Sequence, residues 1–124
     1  AVDKMKHLYK PGTDFGLDID ETPTSKEKIV FVADNDGTIR GFHALLNDTG
    51  TSTNIDFDLK VNGVSVLTSV LNITHSNSDR QVLDGVLDTS TFTSDDVISI
   101  EMNVTSSTGA QGAFAWVDIV EGSA

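Results

Sequence analysis

Cysteine is absent from this 124-residue chain, which excludes disulfides, thiolate metal sites and a cysteine nucleophile. The fold must therefore stand on close packing, alone or with partners. Basic residues are scarce, 8 Lys and Arg against 19 Asp and Glu, for a formal net charge of −11. A body so poor in positive charge lacks the footprint that phosphate binding needs, and nucleic acid is not an expected partner. Apolar runs are short. None approaches the ~20 residues that cross a bilayer, so no membrane segment is expected. The opening AVDKMKHLYK lacks the apolar stretch of a signal peptide, and the expectation is a soluble protein made in a cytoplasm. Prolines are few as well: Pro11 and Pro23 both fall early, and with Gly12 and Gly16 they break any helical run there.

The little positive charge is unevenly placed. Lys4, Lys6 and Lys10 against Asp3 give residues 1–10 a net +2, which leaves −13 on residues 11–124. Residues 1–24 read as an extended N-terminal arm, with at most a short strand at Phe15–Ile19, ahead of a single domain over residues 25–124. Met5, Leu8, Tyr9, Phe15, Leu17 and Ile19 give the arm apolar groups that need burial.

The clearest geometry lies in NIDFDLKVNGVSVLTSVL, residues 54–71. Ile55, Phe57, Leu59 and Val61 alternate with Asp56, Asp58, Lys60 and Asn62, the period of a strand with one face buried and one wet. Asn62-Gly63 then predicts a two-residue type I′ hairpin, because both central positions need positive φ. That hairpin sets Val61 opposite Val64, Leu59 opposite Val66, Phe57 opposite Thr68 and Ile55 opposite Val70, with Phe57, Leu59, Val64 and Val66 in the core. Further strand candidates are 28–34, 38–46, 80–88, 96–104 and 110–120, separated by Gly/Asn/Asp/Ser/Thr turns. About eight short strands at this spacing predict an all-β fold, an antiparallel β-sandwich of jelly-roll-like form. Two stretches, IVFV and AFAWVDIV, are apolar on both faces. Such strands lie beneath a loop or arm, or form a subunit contact, for which Phe114, Trp116, Val117 and Ile119 are the candidates.

No motif carries an active site. Asp34-Asn35-Asp36-Gly37 begins like a calcium loop, but the twelfth position, where a bidentate glutamate belongs, is Leu45. A turn with Gly37 at positive φ explains the same letters. His7, His43 and His75 sit at no metal-binding spacing, and no metal or cofactor is expected. His75, Ser76 and Asp79 are close in sequence, yet a polar turn offers neither the triad geometry nor an oxyanion hole. Three Asn-X-Thr sequons begin at Asn47, Asn72 and Asn103 and are expected to stay unmodified. Trp116 with Tyr9 could stack a sugar, although a tryptophan between Ala115 and Val117 is more often core or interface.

Taken together, VFVADNDGTIRGFHALL, FDLKVNGVSVLTS and TFTSDDVISIEMNVTSSTGAQG resemble the small β-sandwich, jelly-roll-like domains of tailed-phage virion proteins, found in capsid decoration or cement proteins and in head or tail fibres. The shared features are Asp-Gly-Thr-Ile leading into a strand, the Asn-Gly hairpin, and an F…DD.I.I strand followed by Ser-Thr-Gly. The resemblance implies a non-enzymatic virion protein on the outer surface of the capsid, partnered by the major capsid protein, and a homo-oligomer, most often a trimer. A fibre needs a stalk with coiled-coil heptads, for which this chain has no room. The adhesive element is expected to be the arm, with Lys4, Lys6 and Lys10 steering towards acidic surface and Met5, Leu8, Tyr9 and Phe15 filling apolar pockets. The alternative is a fibre-borne module that binds a carbohydrate or receptor.

Overall fold

A computed structural model describes residues 7–9 and 14–122 of the chain, with backbone alone at 7–9, 14 and 15. Its strands are β1 (His7–Tyr9), β2 (Asp14–Gly16), β3 (Lys26–Val32), β4 (Gly37–Asp48), β5 (Ser52–Val61), β6 (Val64–Ser65), β7 (Leu71–Thr74), β8 (Leu83–Asp84), β9 (Thr91–Phe92), β10 (Val97–Thr108) and β11 (Gln111–Glu121). Among the described residues no helix is long and apolar enough to cross a membrane.

The strands form two antiparallel sheets. In the first, β11 lies between β4 and the two arm strands β1 and β2, and β8 and β9 both pair with the far side of β4. In the second, the order is β3–β10–β5, with β6 and β7 both on the outer side of β5. If β1 with β2, β6 with β7 and β8 with β9 each count as one interrupted strand, this is the eight-strand order of a jelly roll.

The core lies between the sheets. β5 supplies Ile55, Phe57 and Leu59, each wholly buried, by unbroken alternation. β4 buries Ile39, Phe42, Ala44 and Leu46, and here the period slips between Ile39 and Phe42. The cause is a bulge: Ile39 pairs with Ile119 and Gly41 with Asp118, leaving Arg40 as an extra residue that returns both apolar groups to the inner face. β3 is interrupted in the same way at Val30, and β10 at Thr105.

The Asn62-Gly63 turn has φ of 52° and 83°, and Val61 pairs with Val64 as a type I′ hairpin requires. The register predicted beyond it fails after Val66. Phe57 faces Leu71 and Ile55 faces Ile73, each three residues later than expected. Residues 67–70 leave β5 instead: Leu67 bridges to Leu87, and the Thr68 N–H donates to the Val86 carbonyl at 2.9 Å. This detour closes one side of the sandwich with Val66 and Leu67 buried. Val64, expected in the core, is 68% exposed because the hairpin tip projects beyond it. The strand expected over 80–88 shrinks to β8; its Val82 and Val86 face outward while Leu83 and Leu87 pack against the core. The arm's second strand falls at Asp14–Gly16 and not Phe15–Ile19.

Candidate functional site

The outer face of the first sheet carries a row of rings and carboxylates. Alternation along β4 and β11 turns Leu45, His43, Phe114, Trp116 and Asp118 away from the core, because their neighbours Ala44, Leu46, Ala115, Val117 and Ile119 are buried inside. The β4–β11 register then sets Leu45 opposite Phe114 and His43 opposite Trp116. The indole lies 5.1 Å from the His43 ring and 5.4 Å from the Phe114 ring, tilted by 36° and 35°. His43 Nδ1 is 2.6 Å from Asp84 Oδ1 and Nε2 is 3.0 Å from Asp118 Oδ2. Each ring nitrogen thus faces a carboxylate oxygen. Both nitrogens are occupied by these contacts. The triplet acts as a tie joining β4, β8 and β11. Gly41, across from Asp118, leaves the space for it, since a Cβ there would stand 2.8 Å from His43 Nε2.

The second sheet presents the opposite character. Glu27, Asp58 and Glu101 stand on its outer side around Lys60, with Asp56 further along β5; the Lys60 Nζ is 3.0 Å from Glu101 and 3.7 Å from Glu27. The glutamate hydrogen bond and surrounding carboxylates raise the Lys60 pKa despite partial desolvation. Ser65 donates to Asp58 at 2.6 Å, Ser99 to Glu27 at 2.7 Å, and Asn72 to both Asn54 and Asp56.

Of the residues expected to bind a partner, Lys4, Met5, Lys6 and Lys10 lie outside the described residues. Leu8 and Tyr9 fall in β1, in register with Val120 and Ile119, and Phe15 falls in β2 opposite Ala115. The described part of the arm is thus hydrogen-bonded to its own chain. Val117 and Ile119, expected at an oligomer contact, are enclosed in the core of the single chain; Phe114 and Trp116 alone of those four keep accessible surface. In IVFV, Ile29 is 67% and Val32 53% exposed, while Val30 and Phe31 join the core.

The other polar clusters serve the fold. The Asp34–Gly37 turn borders an open pocket of about 430 Å³ lined by Asp34, Asn35, Asp36, Ser94 and Gly122. Two carboxylates close this turn: the N–H groups of Asp34 and Asn35 donate to the buried Glu121 at 2.7 and 3.1 Å, and the Ser94 N–H donates to Asp36 at 3.0 Å. Gly37 does not have positive φ, contrary to expectation; glycine is required because a Cβ would meet the Phe92 ring at 2.3 Å and the Val120 carbonyl at 2.5 Å. Among the described residues no His, Asp and Glu side chains group to hold a metal. His75, Ser76 and Asp79 do not converge. His75 Nδ1 accepts from the Thr53 N–H at 3.2 Å, and Asp79 accepts from the Thr49 N–H at 3.0 Å and its hydroxyl at 3.2 Å. Those bonds, the backbone one foremost, hold the Asp79 carboxyl below its usual range.

Sequence reasoning found AFAWVDIV apolar on both faces but missed the His43–Asp84–Asp118 tie. The outward position of His43 between Phe42 and Ala44 was its one visible sign. No protein-family model matches the sequence, and no curated protein matches it. Among solved structures, dimeric latent PorU from Porphyromonas gingivalis is similar over 92% of this chain and 11% of that one, at 17% identity and a TM-score of 0.32, a likeness too slight to carry any conclusion about fold or role.

Proposed function

We propose that this chain is a non-enzymatic structural protein of a tailed-phage virion, a decoration or cement protein that binds the major capsid protein on the outer surface of the shell. The observation that carries this reading is the asymmetry of the sandwich. One sheet is flanked by the arm and shows half-buried Leu45, Phe114 and Trp116; the other is acidic along β5 and β10, with its polar side chains bonded among themselves, and exposes Ile29 and Val32 only at its β3 edge. A protein displayed in many copies on a particle needs one adhesive face and one that repels its neighbours and stays hydrated. The sequence resemblance adds the virion context and the trimer. The arm's Lys4, Lys6 and Lys10 supply charge complementary to an acidic surface, and charge of this kind chiefly speeds encounter while buried aromatics hold the contact.

A second reading is favoured by one observation: Trp116 stands between two other rings with the exposed Asp84 carboxylate close by, a combination suited to stacking a sugar and accepting its hydroxyls. Co-sedimentation of the purified chain with empty capsids, run beside a glycan array, separates the two. Capsid binding lost in Trp116→Ala supports decoration. Glycan binding without capsid binding overturns it.

A further inference from the structure

Asn62-Gly63 is the chain's only Asn-Gly pair. Such a pair is open to a reaction that needs only water. The Gly63 nitrogen attacks the Asn62 side-chain carbonyl carbon, the new C–N bond closes a five-membered imide, and ammonia leaves. Water then opens the imide at either carbonyl to give aspartate or isoaspartate, with no change of oxidation state. Glycine favours the attack because it places no Cβ beside the nucleophile and leaves the backbone free to rotate. At Gly63 there is also no crowding from elsewhere: nothing lies within 4 Å of where a Cβ would stand, and both residues are exposed.

What opposes the reaction is the Asn62 side chain's own bonding. Its Oδ1 accepts from the Val97 N–H at 2.9 Å, and its Nδ2 donates to Asp96 Oδ1 at 2.8 Å. Its backbone N–H donates to the Val97 carbonyl at 2.8 Å. Asp96 is fixed in turn, its second oxygen accepting from the Thr93 N–H at 2.8 Å and hydroxyl at 3.2 Å. Both polar atoms of the amide are therefore committed to the start of β10. The carbonyl carbon can swing towards Gly63 only by breaking the two bonds together, one of them to a carboxylate.

We propose that Asn62 is a guarded deamidation site, preserved while the Thr93–Val97 segment grips its amide and converted to aspartate or isoaspartate once that segment lets go. The product is self-propagating. A carboxylate at position 62 cannot donate to Asp96 and repels it, so the grip does not re-form. Isoaspartate also lengthens the backbone of a two-residue turn that keeps Leu59 in register with Val66. Conversion would thus mark aged copies by loosening one end of the sandwich. This inference stands apart from the virion reading and holds for the chain alone.

Peptide mapping by mass spectrometry, which reads the exchange of an amide for a carboxyl at position 62, tests it on the full chain. In the folded protein conversion should be at least about tenfold slower than in the same chain unfolded in urea, since a charge-assisted hydrogen bond must break first. Asp96→Ala should bring the folded rate towards the unfolded one, and Asp96→Asn, which keeps an acceptor but not the charge, should fall between. Equal rates in folded and unfolded chain would overturn the proposal, as would an Asp96→Ala protein that remains folded yet converts no faster than wild type. If that variant does not fold, Asp96→Asn decides on the same criterion.

Discussion

Two kinds of single residue carry disproportionate weight in this molecule: those that hold an unusual backbone angle and those that fix a loop through a carboxylate. At Gly63, φ is 83° and the surroundings are empty, so the cost of a side chain there is backbone strain alone. Gly63→Val should destabilise the domain by about 1–2 kcal/mol, the penalty of a left-handed L-residue, with branching at Cβ adding to it. A thermal melt reads the effect as a drop of several degrees; an unchanged melting temperature would mean that the turn has another geometry in solution. Asp79 and Asp96 belong to the second kind. Asp79 is held below the ordinary 3.8 by the Thr49 N–H and hydroxyl, and Asp96 by the Thr93 N–H and then the Asn62 amide. Because the unfolded chain binds these protons more readily, the stability they contribute is complete above pH 3.8 and is lost as the pH falls below it. Melting temperatures measured from neutral to acid pH should decline below that point, and Asp79→Asn and Asp96→Asn should each flatten the decline. If both variants track the wild type through the acid range, the carboxylates do not act in this way. The Asn-Gly turn could be read from two letters, whereas the grip of Asp96 and Val97 on Asn62 depends on a pairing across 34 residues that no local pattern announces.

At the scale of strands, the inserted residues in β3, β4 and β10 decide which side chains reach the core. Arg40 is exposed and makes the clearest case, since its presence alone keeps Ile39 and Phe42 on one face. Deleting Arg40 should invert Ile39 relative to the sheet and cost on the order of 2–5 kcal/mol, as for loss of a buried aliphatic side chain, while Arg40→Ala should cost little. Chemical denaturation of the two variants side by side makes the comparison, and equal midpoints would show that the bulge is dispensable. These insertions also mark where the sequence could and could not be read. β5 alternates cleanly from Thr53 to Leu59, and its inner face was legible at once. Around β4, β3 and β10 the alternation is broken by one residue, which leaves strand existence visible and register hidden. The three-residue offset of β7 was invisible for a different reason. It arises because residues 67–70 are drawn to Val86 and Leu87, partners in the link between β8 and β9. The His43 tie shares that origin, for Asp84 and Asp118 come into range only once β8 and β11 have docked on either side of β4.

At the scale of the whole molecule, the arm is joined to the body at β1 and again from β2 onward. β2 and residues 17–25 are joined to the body: Leu17 donates to the Ala113 carbonyl at 2.9 Å, Gly112 to that of Glu21 at 2.9 Å, and Pro23 is buried. Removal of residues 1–24 would therefore strip one whole side of β11. Removal of residues 1–13 takes away the three lysines and β1 but spares β2 and that stretch, so the truncated chain should still melt cooperatively while losing affinity for capsids. Undiminished binding by the shortened chain would place adhesion on the sandwich itself. The topology has one more consequence, which concerns synthesis. β10 and β11 follow the other strands of the sandwich in the chain, yet each lies in the middle of its sheet, with β10 between β3 and β5 and β11 between β4 and the arm strands. Before β10 and β11 emerge, β4 can pair only with β8 and β9 and β5 only with β6 and β7, while β3 and the arm strands have no partner at all. The nascent chain therefore carries unpaired strand edges until its last two long strands are made, and its surplus of negative charge opposes edge-to-edge contact between growing copies.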